Sequence, residues 1–311
     1  MATAAIVITN LTKRYGETIA VNSASLEVPA GTVYGLIGPN GAGKTTTFGV
    51  LAGYLKRDSG TVEILGVDPR RIHTLKGRLG VLPQDALLPA SEPVGALLQH
   101  YGRLAGLSGA EAKRQAAEGL ERVGLSSSWD TAAGALSHGM ARRVGLVQAM
   151  LLASPEVILL DEPTNGLDPK SAAQVRSFIK QIHLDASGAK RTVVISSHNL
   201  AELEELCDSA AILDRGRVVV AGTMSEITSQ AEEVRFLLRD APPLPALEAL
   251  PVVSAASYDA AKGLLAVRFA KEKFEAEAVI AAVLALLLEK GIRISGVSKG
   301  RRLEERLLEL T

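Results

Sequence analysis

The stretch GPNGAGKT, Gly38 to Thr45, combines glycines, a lysine and a hydroxyl at a spacing that suits phosphate binding. It follows the apolar run TVYGLIG, which predicts a strand, and runs into TTTFGVLAGYL, which predicts a helix. Glycines let backbone N–H groups curl around a phosphate chain, and a helix N-terminus adds positive potential. We therefore predict that Lys44 contacts the outer phosphates and that the Thr45 hydroxyl is a ligand of Mg²⁺. The predicted nucleotide-binding residues of this stretch are Gly38, Pro39, Asn40, Gly41, Ala42, Gly43, Lys44, Thr45 and Thr46.

A second chemical signal is the run VILLDEP, Val157 to Pro163, in which an apolar strand ends on two carboxylates. A near-continuous apolar run is typical of a central parallel strand, and ligands of α/β proteins bind at the carboxyl ends of such strands. Two adjacent acids there are unfavourable unless a cation lies near them. We predict that Asp161 holds Mg²⁺, directly or through water, and that Glu162 activates the attacking water as a general base.

A third signal is LSHGM, residues 136–140, immediately before the helix-like run ARRVGLVQAMLLA. Ser137 is placed to cap that helix, and Gly139 leaves its first turn without a side chain. A helix start of this kind suits an anion. The nearest predicted phosphate site, however, is about a hundred residues away in the sequence, at Lys44.

Together the three motifs resemble those of the ATP-binding subunits of ABC transporters, in the same order and over roughly residues 4–225. The resemblance implies that Tyr15, in KRYG, stacks on adenine, and that Gln84, in LPQD, senses Mg²⁺ and links the chain to a membrane partner. It also implies that Asp168, in NGLDP, communicates across a dimer and that His198, in ISSH, reaches the γ-phosphate. The implied catalytic residues are Glu162, His198 and Gln84, and the implied metal ligands are Thr45, Gln84 and Asp161.

The resemblance also gives LSHGM an anion, because the family signature, usually Leu-Ser-Gly-Gly-Gln, faces the γ-phosphate held by the other subunit. Ser137 and Gly139 keep that pattern, whereas His138 and Met140 depart from it. The family often has Ser and Ala where Asn165 and Gly166 stand in the neighbouring loop. A two-fold dimer, formed by two copies or by two different subunits, would place each nucleotide between the phosphate loop of one chain and the signature of its partner.

Strand-like and helix-like segments alternate along the first two thirds of the chain, which predicts an α/β fold with a parallel sheet. By resemblance this is a P-loop NTPase core with an N-terminal antiparallel β part and a helical subdomain at about 89–149. Residues 226–311 predict a small α+β domain of βαββαβ order, with a helix at PPLPALEAL and a last helix at RRLEERLLELT. We expect an ATP-binding domain at 4–225 and an accessory domain at 226–311.

Composition limits the classes of partner. The chain has 311 residues, and its 34 basic side chains balance its 34 acidic ones, so no net charge favours a nucleic acid. The one cysteine, Cys207, cannot form an internal disulfide and is predicted to be buried. The N-terminus lacks the basic start and apolar stretch of a signal peptide. The longest apolar run, Ala278 to Leu288, is too short to cross a bilayer. Together with these observations, the resemblance implies a peripheral protein on the cytoplasmic face of the membrane, held there by a permease.

Three functions remain open from the sequence. The first is the ATP-hydrolysing subunit of a transporter, and the C-terminal segment SKGRRLEERLLELT resembles that of bacterial exporters of drugs, lipids, polysaccharides or ions. The second is a soluble ATPase of the same superfamily that acts on nucleic acid or the ribosome. The third is a regulatory protein that binds ATP without hydrolysing it, because the signature is altered. The presence of both Glu162 and His198 argues against the third function.

Overall fold

The computed structural model describes residues 3–150, 153–183, 190–229, 233–239, 243–270 and 273–299. They fall into two units, divided between Thr223 and Met224. In chain order the strands are β1 (Ala4–Tyr15), β2 (Thr18–Pro29), β3 (Val33–Ile37), β4 (Ser59–Ile64), β5 (Leu79–Leu82), β6 (Val157–Asp161), β7 (Thr192–Ser196), β8 (Ser209–Asp214), β9 (Arg217–Thr223), β10 (Glu233–Leu238), β11 (Ala255–Asp259), β12 (Leu264–Arg268) and β13 (Ile294–Lys299). The α-helices are α1 (Lys44–Leu51), α2 (Val94–Leu104), α3 (Gly109–Arg122), α4 (His138–Met150), α5 (Pro169–His183), α6 (Leu200–Leu206), α7 (Met224–Ser229) and α8 (Ala276–Glu289).

The central sheet of the first unit has the strand order β5-β6-β7-β3-β8-β9. The first five of these strands are parallel, and β9 is an antiparallel edge strand. Every residue of β3, β6 and β7 is buried, as their near-continuous apolar sequences predict. Because neighbouring strands are parallel, the loops that follow β3, β5, β6 and β7 all leave the same edge of the sheet.

A second, antiparallel sheet has the order β2-β1-β4. Its first two strands form the predicted pair, joined at Gly16 with φ +58°. Apolar side chains of β1, β2 and β4 pack in one core with those of the central sheet, among them Ile6, Leu11, Ile64 and Leu159. This packing fixes the end of β1, where Tyr15 lies, relative to the edge of the central sheet from which the loops after β3, β5, β6 and β7 leave.

Helices α2, α3 and α4 occupy the segment predicted to be helical. Ser108 caps α3 by accepting a hydrogen bond from the N–H of Glu111 at 3.2 Å. The apolar face of α3, which includes Ala112, Ala116 and Leu120, is buried. These helices pack on one another and bring α4 against strands β5 and β6, next to the loops that follow those strands.

The second unit contains a four-stranded antiparallel sheet of order β11-β12-β10-β13 with α8 packed against one face. The predicted strand, hairpin, helix and final strand are confirmed, but the predicted helix at PPLPALEAL is wrong. In the described part of that segment the structure has only a 3-10 turn, Leu247–Ala249. The prolines explain this, because they cannot donate to a helix and they disfavour helical backbone in the residue before them. The predicted helix at RRLEERLLELT lies outside the described residues.

Two expectations from composition can be compared with the described residues. Cys207 is 7% exposed, as predicted. Burial raises the pKa of its thiol, so it behaves as a small apolar residue. The run Ala278 to Leu288 lies within α8, and over the described ranges no helix has the length and apolarity that a bilayer-spanning segment needs.

Candidate functional site

A cavity of about 630 Å³ lies where four loops of the central sheet meet, those after β3, β5, β6 and β7. The end of β1 and the start of β2 form its remaining wall. The cavity is lined by Tyr15, Thr18, Ile19, Ala20, Asn40, Gly41, Gly43, Lys44, Thr45, Thr46, Gln84, Glu162, Asn165 and His198. Residues predicted from motifs far apart in the sequence therefore lie around one cavity. Seven of the predicted positions are not among its lining residues: Gly38, Pro39, Ala42, Ser137, Gly139, Asp161 and Asp168.

The phosphate loop is held in shape by its neighbours. Gly43 has φ +100°, and a Cβ on it would lie 2.5 Å from the carbonyl oxygen of Ala20. The N–H of Gly216, in the turn between β8 and β9, donates to the carbonyl of Ala42 at 3.0 Å. Among the described residues no side chain caps the N-terminus of α1, so its first turn faces the cavity free to meet an anion.

We predict that Gly43→Ala destabilises the fold by about 1–3 kcal/mol, because the new methyl group meets backbone in a left-handed conformation. Gly41→Ala is the matched control, since Gly41 has φ +82° but its Cβ would meet nothing within 4 Å. Urea unfolding of both variants without nucleotide gives the comparison. Equal losses in the two variants would show that contact with Ala20 is not what requires glycine at position 43.

Lys44 lines the cavity and is 7% exposed. Its ammonium donates to the carbonyls of Gly38, at 2.6 Å, and Pro39, at 3.1 Å, within its own loop. Burial lowers the pKa of Lys44, whereas the nearby charges of Glu162 and Asp161 raise it. A buried cation whose contacts are loop carbonyls is well placed to exchange them for phosphate oxygens.

Asp161, the last residue of β6, lies beneath the cavity and is 3% exposed. The hydroxyl of Ser196, at the end of β7, donates to its Oδ1. Burial raises the pKa of the Asp161 carboxyl, and Lys44 and Arg142 act in the opposite direction. The side chain is thus a desolvated carboxylate for which a cation would supply a counter-charge.

Glu162 and His198 contact one another directly. The ring Nδ1 of His198 lies 2.8 Å from Oε2 of Glu162. The N–H of Glu162 donates to Oγ of Ser196 at 2.9 Å, and its backbone has the unusual φ of +50°. A non-glycine residue in this conformation is strained by about 1–3 kcal/mol, and such strain is common at functional sites. The arrangement aims one carboxylate into the cavity and orients it by an imidazole.

The available oxygen donors fit Mg²⁺. Thr45 offers a hydroxyl, Gln84 an amide oxygen and Asp161 a carboxylate, and hard oxygen ligands are what this ion prefers. In the described part of the chain no three His, Cys, Asp or Glu side chains form a metal cluster. Mg²⁺ usually takes one or two protein carboxylates and completes its shell with phosphates and water.

Ser137 and Asp168 each cap a helix. Oγ of Ser137 accepts from the N–H of Met140 at 3.3 Å, which confirms the predicted cap of α4. Asp168 accepts from the N–H groups of Lys170 and Ser171, both at 3.0 Å, at the start of α5. The hydrogen bonds from Ser171 lower the pKa of Asp168. Both helix starts are anchored by their own side chains.

The signature and the neighbouring loop, which both depart from the family pattern, contact each other at His138 and Asn165. Nε2 of His138 lies 3.3 Å from the carbonyl oxygen of Asn165. Gly166 has φ +72°, and a Cβ on it would lie 3.1 Å from the same ring nitrogen. The histidine ring therefore occupies space that a glycine leaves free.

Sequence reasoning missed two buried charged residues beside the site. Arg142 on α4 is 7% exposed, and its hydrogen bonds within the described residues go to backbone carbonyls at the end of β6 and in the loops after β5 and β6. Glu202 on α6 is 4% exposed, and its Oε2 accepts from the hydroxyls of Thr164 and Ser197. In the sequence both residues stand on amphipathic helices, where nothing distinguishes them from solvent-exposed charges.

The chain is similar to known proteins along its length. A protein-family model described as ABC transporter matches residues 21–165. Daunorubicin resistance ATP-binding protein DrrA3 of Streptomyces coeruleorubidus is 35% identical, over 100% of this chain and 97% of that protein. Linearmycin resistance ATP-binding protein LnrL of Bacillus subtilis is 36% identical, over 71% of this chain and 70% of that protein. Nod factor export ATP-binding protein I of Burkholderia orbicola is 38% identical, over 71% of this chain and 72% of that protein. A solved ATP-binding subunit of an ABC transporter has 29% identity and a TM-score of 0.65, over 72% of this chain and 92% of that one.

Proposed function

This chain belongs to the ATP-binding subunits of ABC transporters, which hydrolyse ATP, and we propose that it works as one half of a dimer that powers a separate membrane permease. The observation that carries the proposal is the cavity shared by the phosphate loop, Gln84, Glu162 and His198. Four loops that converge on one cavity bring together a phosphate cradle, oxygen donors for a metal and a base.

Each residue has a role that follows from its position. Lys44 and the first turn of α1 bind the β- and γ-phosphates, and Tyr15 at the rim stacks on adenine. Glu162 accepts a proton from the attacking water, and His198 fixes the direction of that carboxylate through its hydrogen bond. Mg²⁺, held by Thr45, Asp161 and Gln84, would neutralise charge that develops on the phosphate oxygens.

The dimer completes the site. Ser137 and Gly139 lie outside the cavity of their own chain, so they are free to serve the cavity of another. A two-fold, head-to-tail arrangement presents the capped start of α4 in one protomer to the γ-phosphate bound by its partner. Asp168, in the loop next to the same helix start, lies at this interface in the proposal. Closure on ATP and reopening after hydrolysis would supply the mechanical step.

We propose export as the direction of transport, because the curated relatives named above are resistance and export proteins. The same names favour transport over a nucleic-acid or ribosome partner. In this proposal the permease spans the membrane and holds the chain on the cytoplasmic face, with Gln84 and the helical segment α2 to α4 passing the motion on. The contact of Glu162 with His198 supports hydrolysis over regulation without turnover.

The test is steady-state phosphate release by the purified chain, alone and with a co-expressed permease. We expect turnover of ATP that requires Mg²⁺, stops on chelation and is accompanied by dimer formation in light scattering. ATP binding with no phosphate release, with or without the permease, would support the regulatory alternative. Retardation by RNA or DNA that weakens with salt would support the nucleic-acid alternative.

We predict that Tyr15→Ala raises KM for ATP about fivefold and leaves kcat nearly unchanged, because stacking on a base contributes about 1–3 kcal/mol and this ring is half exposed. Tyr15→Phe is the matched control, since it keeps the ring and removes only the hydroxyl. Initial rates over a range of ATP concentrations separate the two constants. An unchanged KM in Tyr15→Ala would remove this residue from the adenine site.

A further inference from the structure

Arg142 makes a set of contacts that the proposed roles above do not use. It stands in the second turn of α4, and all of its hydrogen bonds in the described structure go to backbone carbonyls. The bonds join Nη2 to Asp161 O at 2.6 Å and Glu162 O at 2.7 Å, Nη1 to Pro83 O at 3.0 Å and Gln84 O at 3.1 Å, and Nε to Pro163 O at 3.2 Å.

The acceptors lie at the end of β6 and in the loops that follow β5 and β6. Gln84 follows β5, and Glu162 follows β6. Arg142 itself lies five residues beyond Ser137 on the same helix. The side chain of Arg142 therefore connects three parts of the site. They are the loop that contains Gln84, the loop that contains Glu162 and the helix that begins after Ser137.

The chemistry of this junction requires arginine. A guanidinium has five N–H donors in a rigid fork, whereas a lysine ammonium is a single point with three donors. Burying a charge is unfavourable unless its donors are satisfied, and here the fork is filled by main-chain oxygens. The neighbouring acids Asp161, Glu162 and Asp85 supply counter-charge without contacting the guanidinium through their side chains.

We propose that Arg142 is a positioning residue for hydrolysis, which holds the backbone of Glu162 and Gln84 in register with the signature helix. The inference rests on the proposed function, because it assigns Arg142 to the same reaction. A displacement of about 1 Å at a reacting group can lower a rate about 10²-fold, so a brace on the main chain of the base matters to kcat. It matters less to ATP affinity, which the phosphate loop and Tyr15 provide.

The test compares Arg142→Met and Arg142→Lys with a control on the neighbouring residue. Arg143 donates to the carbonyls of Gly139, at 3.3 Å, and Val123, at 2.9 Å, and none of its hydrogen bonds in the described structure reaches a catalytic loop. Arg143→Met thus removes a comparable side chain from the same helix turn. The readouts are circular dichroism, the affinity for a fluorescent ATP analogue, KM and kcat.

We expect Arg142→Met to keep its fold and to bind the analogue within about threefold of wild type, while kcat falls by about 10- to 100-fold. Arg142→Lys should restore part of kcat, and Arg143→Met should keep it within about twofold. The inference is overturned if Arg142→Met is folded and either keeps the wild-type kcat or loses affinity and kcat together. If Arg142→Met does not fold, Arg142→Lys provides the test. A wild-type kcat in Arg142→Lys would then overturn the inference. Absence of hydrolysis in the wild type would instead refute the proposed function.

Discussion

Glu162→Gln should bind ATP as tightly as the wild type and hydrolyse it about 10²- to 10⁴-fold more slowly, which is the usual contribution of a general base. The substitution is nearly isosteric, and a glutamine oxygen can still accept the hydrogen bond that His198 Nδ1 makes to Oε2 at 2.8 Å. The cavity therefore keeps its shape. Only the ability to take a proton from water is lost.

Because binding survives and hydrolysis does not, this variant should accumulate as a closed dimer with ATP. Light scattering on the purified protein gives the measurement, with ADP as the control nucleotide that leaves it monomeric. His198→Ala provides a second comparison, since it keeps the carboxylate but removes the group that orients it. If Glu162→Gln turns over at the wild-type rate, the base is another residue and the pairing seen at His198 has a structural purpose.

The phosphate loop and the two acids at the end of β6 were predictable because their residue types are dictated by chemistry and their positions by local patterns. The phosphate loop of Gly38 to Thr45 follows the apolar strand that places it, and Asp161 ends another such strand. Parallel pairing then brings the ends of strands distant in sequence to one edge. The cap at Ser137 is predictable for the same reason, since it depends on residues within three positions.

Arg142 was not predictable, because its partners are main-chain oxygens that every residue has. No pattern in the sequence marks a carbonyl as an acceptor, so only the fold shows which loops a long side chain reaches. The contact between His138 and Gly166 is of the same kind, as it depends on the approach of two segments. The helix expected at PPLPALEAL is wrong for a different reason, because its prolines disfavour helical backbone at and before their own positions.

The proposed dimer places the phosphate loop of one chain opposite the signature of the other, and this predicts the second large effect. Two variants that are each inactive should regain ATPase activity when they are combined in one dimer. Lys44→Ala removes the buried cation that is proposed to contact the phosphates. Gly139→Asp places a negative charge at the start of α4, where the partner's phosphate is proposed to lie. An added Cβ at Gly139 would lie 3.6 Å from Leu167 and Ser171, which is ordinary contact, and an acid at a helix N-terminus favours the helix, so the fold should persist.

Each variant as a homodimer should hydrolyse ATP at background rate. A heterodimer of the two, purified through different tags, should recover roughly half of the wild-type rate, because one of its two composite sites combines an intact phosphate loop with an intact signature. Gly139→Asn is the control for shape, since it has nearly the same volume without the charge. If each site used the phosphate loop and signature of a single protomer, every site in the heterodimer would carry a defect and its rate would stay at background. Recovery on mixing therefore distinguishes a nucleotide held between two chains from a nucleotide held by one.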